Sequence, residues 1–69
     1  LEEYQKAIPF YKKSLIINPN NSFAIYLLGK SYIVLGNKKE SKRQLRLLMN
    51  MDTLLFETLK LSFDSKFEI

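Results

Sequence analysis

An all-α fold built of antiparallel helix-turn-helix repeats is what this sequence predicts. Three observations carry that reading. Apolar residues recur at spacings of three and four and never alternate over the length of a strand. The interruptions fall at residues that end or start helices: Pro19, Gly36 and Asp52. The chain also matches itself when shifted by 34 residues.

The first helix is expected over roughly Glu3 to Ile17, with Tyr4, Ala7, Tyr11, Ser14 and Leu15 on one stripe and Lys6, Lys12 and Lys13 outside it. Pro9 falls near its second turn. There it forfeits a backbone hydrogen bond, unless the helix starts late enough to hold it harmlessly. Asn18-Pro19-Asn20-Asn21-Ser22 reads as a turn, with Ser22 as the N-cap of a second helix running to Leu35. That helix is apolar almost all round. One stripe is Ile25, Leu28, Tyr32 and Leu35; the other is Phe23, Tyr26, Leu27, Lys30, Ile33 and Val34.

Gly36 suits a left-handed helix end, and Asn37 followed three residues later by Glu40 has the spacing of a capping box. The third helix buries Ser41, Leu45 and Leu48 and turns a basic face outward. A weaker break at Asn50-Met51-Asp52 opens a fourth helix from about Thr53 to Ser65, with Phe56, Leu59, Phe63 and, beyond it, Phe67 at helical spacing. Met49 and Met51 read as gap-fillers.

The 34-residue shift places Leu1 on Leu35, Ala7 on Ser41, Tyr11 on Leu45, Ser14 on Leu48 and Asn18 on Asp52. All but Ser14 on Leu48 agree in size. Residues 1–18 therefore read as the second helix of a truncated repeat, 19–52 as one complete repeat, and 53–69 as a terminal helix and tail. The start at Leu1, without Met and already in a helical pattern, reads as a piece of a longer protein.

At Ile25, Leu28, Gly29, Tyr32, Leu35 and Gly36, and again at Ala7, Tyr11, Ser14 and Pro19, the chain resembles the tetratricopeptide repeat family over about residues 1 to 53. In the complete unit Ser41 keeps the small position, whereas Leu45, Leu48 and Thr53 depart from the family's aromatic, second small residue and proline. Looser packing of that helix is expected. The resemblance implies a short right-handed superhelical solenoid fragment, in which Gly29 meets Ala7 or Ser41 at close range. Under the continued shift Phe63 replaces Gly29 and Lys66 replaces Tyr32. The fourth helix is thus expected to close the array as a C-terminal capping helix.

With 69 residues and 46% of them apolar, such a chain buries only about 60% of its unfolded surface. It has no Cys and no His. This removes disulfide staples, the thiol nucleophile, the commonest general base and the best transition-metal ligands together. The acidic groupings, Glu2 and Glu3 with Glu40 or Glu57 with Asp64, have no partner chemistry beside them and read as solvated surface. An enzyme is not expected, nor a cofactor. No charge-free apolar run reaches the roughly 18 residues that span a bilayer, so a soluble chain is expected. The compartment stays open.

Function is expected at a protein-binding surface. In the family that this chain resembles the first helix of each pair lines a concave groove, which implies that Phe23, Tyr26, Lys30, Ile33 and Val34 face a peptide or helix of a partner. The same residues could instead pack against a neighbouring repeat or the final helix. Some relatives clamp the acidic tails of heat-shock chaperones with Lys and Asn. Here Tyr26 and Leu27 stand where a clamp wants polar groups, so that partner is not expected. A second reading is self-association with another copy through Phe56, Leu59, Phe63 and Phe67 or the groove. A third is polyanion or RNA binding by Lys38, Lys39, Lys42, Arg43 and Arg46. The convex position of that helix and the lack of interleaved aromatics speak against nucleic acid. The net charge of +4 suits an acidic partner without requiring one.

Overall fold

The computed structural model describes residues 1–68; Ile69, the end of the third sequence unit, lies outside the described residues. Four helices follow in order: α1 Glu2–Ile17, α2 Ser22–Val34, α3 Lys38–Met49 and α4 Thr53–Phe67. Among the described residues there is no strand, and no helix is long and apolar enough to cross a membrane.

Helix α1 begins at Glu2, two turns ahead of Pro9, so Pro9 lies inside it and leaves the Gln5 carbonyl without its intrahelical donor. The helix packs on α2 alone. Tyr4, Ala7, Tyr11 and Leu15 of the expected stripe are half-buried, Ser14 is exposed, and no α1 residue is fully buried.

The N-cap of α2 is Asn21 rather than the expected Ser22. The Asn21 side-chain oxygen accepts from the Ala24 N–H at 3.1 Å, which places Ser22 in the first helical turn. At the other end Gly36 has φ +79°, the left-handed value that an added Cβ disfavours. Its N–H reaches the Ile33 carbonyl at 3.0 Å and the Asn37 N–H reaches that of Tyr32 at 2.8 Å. This paired arrangement satisfies two carbonyls that the helix end would otherwise orphan.

Only half of the capping box forms at α3. Asn37 Oδ1 accepts from the Glu40 N–H at 3.2 Å. Because the Asn37 N–H is already used by Tyr32, the Glu40 carboxylate turns to Arg43, 3.7 Å away. The expected stripe of Ser41, Leu45 and Leu48 is buried, joined by Gln44. Asp52 caps α4 as expected, accepting from the Leu55 N–H at 3.0 Å. That helix continues two residues beyond Ser65, where the Phe67 ring packs on Phe63 at 4.9 Å between centroids.

Two chain reversals, α2 to α3 and α3 to α4, leave α4 parallel to α2. Lys38, at the start of α3, accordingly lies 6.0 Å from the ring of Phe67, at the end of α4. The core is assembled where these three helices meet: Ile25 and Ile33 from α2, Leu45 and Leu48 from α3, Leu59 and Phe63 from α4. Gly29 is buried, but its close neighbours are Leu59 and Gln44 rather than Ala7 or Ser41. Without a side chain on α2 at this point, the α4 leucine reaches the gap between α2 and α3. Met49 and Met51 fill no gap; both are exposed.

Candidate functional site

Because α4 lies parallel to α2 and α1 lies on α2 alone, a concavity opens along one side of α2. It is an open groove of about 520 Å³ lined by Leu1, Lys30, Ile33, Val34, Ser62, Ser65 and Lys66. Lys30 is half-buried, and its ammonium donates to Ser62 Oγ at 3.2 Å. That bond holds one charge against the α4 wall. Lys66 supplies a second cation, and among the described residues no carboxylate lines the groove. The resulting field is positive, with Val34 and Leu1 as apolar wall.

Of the residues expected to face a partner, Lys30, Ile33 and Val34 meet here. Ile33 contributes only floor, since it is a core residue packed with Leu59 and Phe63. Phe23 and Tyr26 lie farther along α2, outside the groove lining, and stack on each other at 6.2 Å with an interplanar angle of 21°. Tyr26 also packs against the core, while Phe23 is exposed.

No protein-family model, curated protein or solved structure matches the chain.

A second, smaller groove of about 300 Å³ lies between α3 and α4, with Leu45, Met49, Phe56 and Phe63 as its apolar lining. Its α3 wall carries Lys42 and Arg46, its α4 wall Lys60, Asp64 and Glu68. Lys60 donates to Asp64 Oδ2 at 2.9 Å, and this hydrogen bond, with the Asp64 charge, raises the Lys60 pKa above its ordinary value. The pair is exposed and largely cancels its own field. The basic-surface residues are thus divided. Lys42 and Arg46 face this groove, Arg43 is paired with Glu40, Lys38 lies near the Phe67 ring, and Lys39 is exposed. The aromatics missing from the α3 sequence are supplied to its edge by α4, a neighbour relationship that no spacing within α3 reveals.

The phenylalanine stripe of α4 faces inward. Leu59 and Phe63 are buried, and Phe56 and Phe67 are half-buried against the same core. These side chains are the packing surface of α4 on α2 and α3, so little of the stripe is left to meet another copy. Ser62, Ser65 and Lys66 were not expected from sequence to line a groove, although they recur three and four apart on α4, one flank away from the buried Leu59 and Phe63.

Proposed function

We propose that this chain is a non-enzymatic protein-interaction module of the tetratricopeptide type, which docks an acidic, partly apolar peptide of another protein in the groove between α2 and α4. The observation that carries this reading is the groove's composition: two lysines, two serines and aliphatic wall with no carboxylate among the lining residues. Lysines on such a wall attract carboxylate side chains and speed encounter, while serine hydroxyls offer hydrogen bonds to peptide groups. Val34 and Leu1 give an aliphatic side chain somewhere to sit. The half-buried position of Lys30 favours it as the stronger of the two charges, because a partly desolvated ammonium is less screened than an exposed one.

One feature of the fold supports the repeat reading, and one of the sequence supports the non-enzymatic reading. The α2 and α4 helices run parallel with α3 between them in sequence, the arrangement expected of successive first helices. The absence of His and Cys from the sequence removes the usual catalytic groups.

The test is fluorescence anisotropy with a short labelled peptide of alternating aspartate and leucine. Lys30→Glu and Lys66→Glu are each expected to weaken binding several-fold, whereas Lys42→Glu on the α3 wall leaves it unchanged. Equal binding by the wild type and Lys30→Glu, or loss only in Lys42→Glu, refutes the groove as the docking site.

A further inference from the structure

The serine hydroxyls in the groove between α2 and α4 differ from hydroxyls elsewhere in the helices. Ser31, Ser41 and Thr58 each turn the hydroxyl back on the carbonyl four residues earlier, at 2.9, 2.6 and 2.9 Å. Ser62 and Ser65 donate to no group among the described residues. Ser62 Oγ accepts from Lys30 Nζ at 3.2 Å, so its own hydrogen points away from the ammonium and is free to donate. Ser65 lies three residues on, exposed, with Lys66 beside it on the same wall.

The charges of α4 are sorted by side. Glu57, Lys60, Asp64 and Glu68 recur at three and four along one flank. Asp64, by a hydrogen bond at 2.9 Å, and Glu57 and Glu68 by their charge hold Lys60 protonated. None of these carboxylates lines the groove, whose α4 wall is Ser62, Ser65 and Lys66. From α1 only Leu1 contributes; Glu2 and Glu3 beside it are exposed and outside the lining. Neither Lys30 nor Lys66 is in an ion pair among the described residues. The groove thus holds two ammonium groups and two donating hydroxyls with no anion to balance them.

From this arrangement we infer that the acidic group selected by the groove is a phosphate, carried on a phosphoserine or phosphothreonine of the docked peptide and held by Lys30, Lys66, Ser62 and Ser65. The inference rests on the docking groove proposed above and names its ligand. A carboxylate brings one charge and leaves a cation unbalanced. A phosphate monoester brings about two charges and three acceptor oxygens at neutral pH, so it balances both lysines and takes hydrogen bonds from both hydroxyls. A lipid headgroup fits less well. Lys30 and Ser62 are half-buried between the helices, within reach of a phosphate on a projecting side chain but not of a flat membrane surface. The sequence contains no His, so the second ionisation of the phosphate, near pH 6, is the step that such a site senses.

Fluorescence anisotropy tests it on the chain with its N-terminus acetylated, so that no terminal amine adds a cation beside Leu1. Two labelled peptides are compared: the alternating aspartate and leucine peptide, and the same peptide with its central aspartate replaced by phosphoserine. The phosphopeptide is expected to bind roughly tenfold tighter at about pH 7, as one added charge-assisted hydrogen bond provides. That advantage is expected to shrink several-fold at about pH 5, where the phosphate has lost its second charge. The double variant Ser62→Ala, Ser65→Ala is expected to lose most of the advantage while binding the aspartate peptide nearly as before, and circular dichroism checks that helicity is kept. Equal affinity for the two peptides overturns the inference and leaves acidic-peptide docking standing. Binding of neither peptide overturns both. Binding of the phosphopeptide alone supports the inference and makes docking phosphate-dependent. An advantage that survives at low pH, in Lys30→Gln or in the double serine variant overturns it. Inorganic phosphate that competes as well as unlabelled phosphopeptide, or tighter binding to vesicles containing phosphatidic acid, assigns the groove to a free anion or a membrane and overturns it equally.

Discussion

Leu59 on α4 reaches into the space that a side chain at Gly29 on α2 would occupy: its Cδ2 atom lies 2.7 Å from where a Cβ at Gly29 would stand. The Gln44 Cβ on α3 lies 3.1 Å from the same point. Three helices thus converge on one missing side chain. That convergence brings α4 close enough to α2 to form the groove, since the Lys30 to Ser62 hydrogen bond crosses the seam beside it.

Gly29→Ala accordingly creates a clash that the better helix propensity of alanine only partly offsets. Overpacking of this kind costs about 1–3 kcal/mol, against a propensity gain of about 1 kcal/mol. Net destabilisation of about 1 kcal/mol is expected in urea unfolding. In a Leu59→Ala background the same substitution is expected to cost less, because the obstructing methyls are gone and only the Gln44 Cβ contact remains.

Gly36→Ala tests the turn between α2 and α3. With φ at +79° and open space around it, the added methyl meets no neighbour but places an L-residue in the left-handed region. A loss of about 1 kcal/mol is expected from backbone strain alone. Gly36→Asn, which tolerates that region better, is expected to lose less.

The buried face of α3 contains an imperfection. Gln44 is 5% exposed and its Oε1 has no hydrogen-bond partner. Leaving such an acceptor unpaired costs about 1–3 kcal/mol. Gln44→Met, similar in shape, is expected to raise the urea midpoint, with a gain of about 1 kcal/mol.

Pro9 interrupts the hydrogen-bond ladder of α1 from inside and is exposed. Pro9→Ala is expected to increase helicity by circular dichroism and to stabilise α1 by up to about 3 kcal/mol. Slower amide exchange in the first turns of α1, with the core unchanged, checks where the gain falls.

The helices were legible because their boundary chemistry is local. Gly36, Asn37 and Asp52 each act within a turn of their own position, and a spacing of three or four is enough to mark Ser41, Leu45 and Leu48 as one face. Ser22 was misread because Asn21 and Ser22 are both good caps, and only the backbone path decides between them. Gln44 was missed for its polarity, although it lies three residues from Ser41 and four from Leu48 on the same stripe. The groove was half legible. Lys30 and Val34 follow from the second stripe of α2, but Ser62, Ser65 and Lys66 become its other wall only through the parallel packing of α4. Ile33, Leu59 and Phe63 carry the converse lesson. An apolar stripe on a terminal helix looks the same in sequence whether it closes the core or waits for a partner.

The most direct test of the docking groove is an amide chemical-shift titration of the isotopically labelled chain with the alternating aspartate and leucine peptide. The account predicts shifts concentrated at Lys30, Val34, Ser62, Ser65 and Lys66, and their loss in Lys30→Glu. Shifts centred instead on α3, from Lys38 to Arg46, or no shifts at a peptide concentration that saturates anisotropy, contradict it.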